Sequence, residues 1–246
     1  MPEVGTAIRI DDVDLHADGL DPREAAALYE EHGCFVVRGL MTRYVDALLR
    51  DVELDAAQSM ALLDRAVETS SFCRTPNGTI VLPAPEGFGR EKQLMVLSLT
   101  YTTSAALLRS ALDDTVLDLA EEILGPNIEL FGNGQCHYKE SRGGHPKNLH
   151  QDSAYFEHRY VGPVGILFYL TDTSLEHGPL QVVPGSHRRG QLAHVDTFSH
   201  LALKEDEWPW ESALPIPGNA GDTIFFHEAC VHGSQENCSE TPRPVI

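Results

Sequence analysis

The chain has 246 residues, 42% of them hydrophobic, with 37 acidic residues against 18 basic ones and a formal net charge of −19. That length fits one generous domain or at most two small ones, and the apolar share is enough for a sizeable core. The acidic balance argues against general binding to nucleic acid or to anionic membranes, and no stretch has the unbroken apolar length of a membrane span.

The opening Met1-Pro2-Glu3-Val4 lacks the basic-then-apolar pattern of a secretory signal. Five scattered cysteines (Cys34, Cys73, Cys136, Cys230, Cys238) form no Cys-x-x-Cys pair. The expectation is a cytoplasmic protein with reduced thiols. The triplets Asn77-Gly78-Thr79 and Asn237-Cys238-Ser239 are then chance matches to a glycosylation pattern.

In chain order, Asp21 as N-cap and Pro22 in the first turn open a helix that Gly33 closes. Cys34 to Val37 is a short buried strand. A second helix runs from Arg43 to about Ala66, with apolar residues at Val45, Leu48, Leu49, Val52 and Leu54. Asn77-Gly78 marks a turn and Pro83 to Gly87 a loop. Two more helices cover Ser104 to Leu112 and Thr115 to Leu124, closed by Gly125-Pro126. From Ile128 onward, short apolar runs alternate with turn residues. Ile128–Tyr138, Val164–Leu170, Leu180–Val183 and Thr223–Phe226 read as strands. Helices followed by a β-rich half predict an α+β, mainly β, protein with a sandwich or barrel core. No repeat, low-complexity tract or clear boundary divides the chain. It reads as a single domain over 1–246, helix-rich in 1–125 and β-rich in 126–246.

Twelve histidines are too many for all to carry chemistry. The informative ones are found by their company. His150-Gln151-Asp152 precedes the aromatic pair Tyr155-Phe156. In extended backbone, residues two apart share a face, so His150 and Asp152 can hold one metal ion together. The third ligand must come from a neighbouring strand. His232 is the candidate, following the turn Gly221-Asp222 and the apolar run Thr223 to Phe226. Two histidines and a carboxylate on one face of a metal leave open positions, as iron(II) oxygenases need. His-x-Asp alone is common by chance. Arg243, eleven residues beyond His232, adds a second feature, with Ser234 and Asn237 between. A 2-oxo dicarboxylate that chelates iron at one end needs a cation at the other. Arginine offers a planar fork that stays charged when desolvated, and Ser234 could add a hydroxyl donor.

With these residues the sequence resembles the phytanoyl-CoA dioxygenase family of 2-oxoglutarate oxygenases, which includes ectoine hydroxylase. The matching pieces are Tyr29 to Val37, Gly125-Pro126-Asn127-Ile128, Leu149-His150-Gln151-Asp152, Val183-Pro184-Gly185-Ser186-His187, Gly221 to His227, and His232-Gly233-Ser234 with Asn237 and Arg243. The resemblance runs from about Asp21 to the end. It implies a double-stranded β-helix, a cupin-like jelly roll, with N-terminal flanking helices. It assigns iron(II) to His150, Asp152 and His232, and the far carboxylate of 2-oxoglutarate to Arg243 and Ser234. It places His137 and Phe168 against the cosubstrate and Gln135 toward the substrate. O₂ would be the second cosubstrate, and succinate and CO₂ would be released. Related halogenases lack the carboxylate found here as Asp152, so hydroxylation of a small molecule is expected. The chain stops three residues after Arg243, where relatives continue for a further strand. Thr75 to Leu97 matches nothing in the family pattern and is a natural place for substrate selection.

Rival readings remain at this stage. A non-catalytic or zinc-binding jelly roll would keep the fold, and His227 and Cys230 lie close enough to His232 for a structural zinc to be weighed. His187 sits in a turn and reads as structural. His145, before Pro146 in a Gly-rich loop, reads as exposed. The substrate is open, because one scaffold serves many.

Overall fold

The computed structural model describes residues 8–69, 72–155, 162–197 and 199–246. Met1 to Val4 and Phe156 of the aromatic pair lie outside the described residues.

Four helices precede most of the sheet: α1 Pro22–His32, α2 Thr42–Met60, α3 Ala105–Ala111 and α4 Asp114–Leu124. Their starts follow capping chemistry. Asp21 accepts from Arg23 N, Ser104 from Leu107 N and Asp113 from Thr115 N, each satisfying an amide that the helix leaves over. Gly33 closes α1 at φ 73°, a left-handed turn that glycine adopts freely. Helix α2 stops at Met60, short of the expected Ala66. Ser59 in its last turn is bonded to Thr79 and Asn77 of the next hairpin. The chain turns there, and Leu63 reaches the core from a separate 3₁₀ turn.

The strands form three main antiparallel groups. One sheet runs Asp14–His16, Cys34–Arg38, Thr223–His227, Val164–Phe168, with only its first pair parallel. A second runs Leu214–Pro215, Leu180–Val182, His232–Ser234, Lys147–His150. A third, of six strands, runs Arg243–Val245, Cys136–Lys139, Lys92–Leu97, Ile80–Pro83, Cys73–Arg74, Val67–Glu68. The first and third join edge to edge through Phe168 N to Ile246 O, at 2.9 Å, and a bridge between Tyr169 and Val245. The short strand Arg243–Val245 is therefore paired on both sides.

Strand alternation sorts the two cores. On Val164–Phe168, the residues Val164, Ile166 and Phe168 face α1 to α4, together with Phe35 and Phe225, whose rings stack at 4.7 Å. Leu167 faces the other way, into an inter-sheet core with Val36, Ile224 and Phe226 of its own sheet and Leu180 and Val182 of the facing one.

Beyond the expected strand at Cys34, the helix-rich first part holds further β structure: the hairpin Ile80–Pro83 and Lys92–Leu97, in the segment that matched no family pattern, and two shorter strands before it supply four of the six strands of the third sheet. The expected strand Ile128–Tyr138 shrinks to Cys136–Lys139. Gly132 and Gly134 before it stand at φ 74° and 70°, which a strand does not tolerate.

Candidate metal centre

The turn after Lys147–His150 and the strand His232–Ser234 bring the three candidate ligands together. His232 stands directly opposite His150 in the ladder. Asp152 opens a 3₁₀ turn beside them. Its Oδ1 lies 3.5 Å from His150 Nε2 and 3.6 Å from His232 Nε2. One donor atom from each of the three falls within 4.8 Å of the others, a grouping of three metal-capable side chains that no other described residues form.

Each imidazole is held by its far nitrogen. His150 Nδ1 donates to Asn148 O at 2.8 Å and His232 Nδ1 donates to Cys230 O at 2.9 Å. Both bonds fix the tautomer that leaves Nε2 bare toward the ion, as the outer shell of a metal site does. His150 Nε2 is buried with no hydrogen-bond partner. Between the ligands, the fully buried Gln151 donates to Gly190 O and Ala229 O and accepts from Leu192 N, pinning the turn that carries Asp152. Behind His232, the Phe226 ring packs at 4.6 Å. It can do so because Gly165 faces it across the ladder: a Cβ there would stand 2.4 Å from that ring.

Burial pushes His150 down to about 3, with the neighbouring His232 adding to it. Burial likewise takes His137 down to about 3, and His145 and His200 to about 4. Burial alone would raise the Asp152 carboxyl, but His232 and His150 beside it outweigh this and hold it well below the usual carboxylate range. An ionised carboxylate and two neutral imidazoles are the forms that bind a divalent cation.

The neutral histidines carry a cost in acid. In the unfolded chain they take up a proton near pH 6.5. Below that pH the unfolded state binds protons that the fold refuses. Stability is therefore intact above about pH 6.5 and falls as the pH drops toward the folded values. His150 alone accounts for up to about 1.4 kcal/mol per pH unit in that window. The urea midpoint of the metal-free protein is expected to decline steadily between about pH 6.5 and about pH 4.5. A midpoint unchanged over that range contradicts neutral buried imidazoles.

Below the triad lies an inner cavity of about 130 Å³. His137, Ser234 and Arg243 line it, with apolar walls from Leu167, Leu180 and Phe226. Arg243 is buried, and its Nε has no hydrogen-bond acceptor. Burial lowers its pKa to about 10, which leaves the guanidinium charged at neutral pH. A buried, charged, unpartnered donor at a cavity floor is what a carboxylate ligand would satisfy.

The other expected residues divide. Gln135 is exposed and lines a second, outer cavity of about 490 Å³, which His137 also borders. Phe168 does not line the inner cavity. It points to the helix side of its strand, and its neighbour Leu167 takes the cavity position, because successive strand residues face opposite ways. His145 is not exposed on its loop; it is half-buried, bonded to Ser199 Oγ at 2.9 Å, and borders the inner cavity. His227 and Cys230 do not turn toward His232. His227 stacks on Tyr29 at 5.6 Å, and Cys230 sits in the inter-sheet core.

Two lysines of the site went unread in the sequence. Lys139 stands opposite Arg243 in the ladder and donates to Ser234 O and Gln235 O. Lys147 lines both cavities. A lone lysine between a loop and a strand carries no signal of its own. The alternation Cys136, Tyr138 against His137, Lys139 could have placed Lys139 beside His137.

Two histidines and a carboxylate converging beside a buried cation between facing antiparallel sheets have the donor set of a mononuclear 2-histidine-1-carboxylate centre. The family model for phytanoyl-CoA dioxygenase (PhyH) matches residues 29–245, and the chain belongs to that family. It is 31% identical over 142 residues to a probable alpha-ketoglutarate-dependent hypophosphite dioxygenase of Stutzerimonas stutzeri, covering 54% of this chain and 48% of that protein. It is 29% identical over 154 residues to L-proline trans-4-hydroxylase of Streptomyces griseoviridis, covering 53% and 57%. The chain thus spans about half the length of these curated relatives. EctD from S. alaskensis, solved with 2-oxoglutarate and 5-hydroxyectoine, superposes with a TM-score of 0.67 at 19% identity, over 92% of this chain and 74% of that one, so the two share a fold. Among the described residues no helix is long and apolar enough to cross a membrane.

Proposed function

We propose that this chain is an iron(II)- and 2-oxoglutarate-dependent dioxygenase that hydroxylates an unactivated C–H bond of a small organic molecule, with release of succinate and CO₂. The observation that carries this reading is the pairing of the converging triad with the buried, unpartnered Arg243 at the floor of the same cavity. A pure binding module or a structural zinc site has no use for that guanidinium. Membership of the PhyH family supports the same reading. The two facing sheets form the double-stranded β-helix of these oxygenases, with α1 to α4 flanking it, and 1–246 act as one domain.

In this reading His150, Asp152 and His232 hold iron from one side. Arg243 and Ser234 take the far carboxylate of 2-oxoglutarate. His137, neutral at neutral pH, borders the cosubstrate without repelling iron, and Gln135 looks toward the substrate from the outer cavity. When bound, iron(II), 2-oxoglutarate and O₂ supply the oxidative decarboxylation and the oxygen transfer. The chain supplies geometry and dryness. Asn148 O and Cys230 O orient the imidazoles, Gln151 holds the Asp152 turn, and Leu167, Leu180 and Phe226 keep the inner cavity apolar.

The test is anaerobic titration of the metal-free protein with iron(II) and 2-oxoglutarate, watching for the weak visible charge-transfer band of the chelate. The expected band needs both additions together. Folded protein that binds iron yet gives no band refutes the reading.

A further inference from the structure

Lys147 stands three residues before His150 on one strand, and positions three apart on a regular strand face opposite ways. The pairing here is irregular. His232 lies opposite His150 and Ser234 opposite Lys147, so two steps on one strand match three on the other. This is a β-bulge, which re-aims a side chain, and it brings Lys147 onto the cavity side with His150. Lys147 borders both the inner and the outer cavity, so it stands where they join.

No described residue neutralises it. Its ammonium lies 5.5 Å from the centroid of the Tyr155 ring, and the acidic group that it feels is Asp152, already committed to the metal side. It is the one lysine or arginine among the described residues on the outer cavity wall. His137 and His200 on that wall are neutral at neutral pH. Much of the rest is apolar, from Phe72, Ile80, Met95, Val96, Phe131 and Val164. The carboxyl of Glu228 also borders this cavity, but it is backed against Gly162, where an added Cβ would meet it at 1.9 Å.

We infer that Lys147 receives the carboxylate of a compact, otherwise apolar substrate whose hydrocarbon body fills the outer cavity. This rests on the oxygenase reading and adds the substrate class. An ammonium among apolar walls gains from an anion, whereas a neutral or cationic substrate would leave it unpaired. A cavity of about 490 Å³ suits a small drug-sized molecule. Anchoring one end at the junction also limits which carbon can face the metal, the positional control that a hydroxylation needs.

Calorimetric titration with 1-adamantanecarboxylate and 2-naphthoate, each against its primary amide, tests this on both the metal-free protein and the anaerobic iron–2-oxoglutarate complex. At least one acid is expected to bind about tenfold or more tightly than its amide. Lys147→Met should erase that preference and Lys147→Arg should keep it, with the charge-transfer band of the complex showing that each variant is folded. No preference for either acid, or a preference that survives Lys147→Met, overturns the proposal. A Lys147→Met variant that instead loses 2-oxoglutarate affinity puts the lysine in the cosubstrate clamp and overturns it too. Absence of the band in the parent protein counts against the oxygenase reading alone, because titration of the metal-free protein reads the acid preference separately.

Discussion

Arg243→Met is expected to abolish measurable 2-oxoglutarate binding and, at the same time, to raise the melting temperature of the metal-free protein. The two effects share one cause. Arg243 is buried, stays charged, and leaves Nε without an acceptor. A buried charge without a partner carries a desolvation penalty, which an apolar side chain of similar length removes. Relief of about 1–2 kcal/mol corresponds to a gain of roughly 2–8 °C in a chain of this size. The bound state is the reverse. There the guanidinium would meet a carboxylate in two parallel hydrogen bonds, and losing one partner of such a pair costs about 3–5 kcal/mol, or at least about a hundredfold in affinity. Melting curves with and without iron(II) and 2-oxoglutarate check both halves. The parent protein should be stabilised by the added ligand and the variant should not. A variant still stabilised by 2-oxoglutarate removes Arg243 from the clamp.

Asp152→Ala should lower iron(II) affinity by more than about a hundredfold and stop succinate formation, while leaving the fold intact. Even an outer-shell partner of a metal ligand is worth about 10–100-fold, and Asp152 would be a direct ligand. Its side chain is 33% exposed, so deletion opens no core cavity. His150 and His232 keep their carbonyl partners and remain paired across the ladder. Two neutral imidazoles without the carboxylate give a weaker and less neutralised site. Far-ultraviolet circular dichroism should match the parent, and the charge-transfer band should be absent. Retained turnover at the parental rate would remove Asp152 from the ligand set.

Much of the site was legible in the sequence because its geometry is local. His150 and Asp152 are two residues apart, and Ser234 is two residues beyond His232, so extended backbone places each pair on one face. The start of the first helix was legible for the same reason: Asp21 accepts from an amide two residues on. Where the family resemblance misplaced a residue, the sheet had decided. The resemblance put Phe168 against the cosubstrate, yet the sheet turned Leu167 toward the cavity and gave Phe168 to the helices. The hairpin Ile80–Pro83 and Lys92–Leu97 was unread although its pairing is local: only the loop from Pro83 to Gly87 stood out, and neither strand alternates cleanly, since its residues are divided between the core and the cavity.

By itself the sequence determined the metal-capable residue set, the guanidinium that would complete it, the family, and the order of helices before most strands. Those depend on residue type, on the two-residue spacing of His150 and Asp152, and on the order of the motifs along the chain, with Arg243 eleven residues beyond His232. The tertiary structure alone decided that Arg243 is clasped between two sheets, that a bulge swings Lys147 to the junction of the cavities, and that His145 and His200 are neutral in its walls. Each of these is set by which strands become neighbours, and a one-residue change in that pairing sends a side chain to the opposite face.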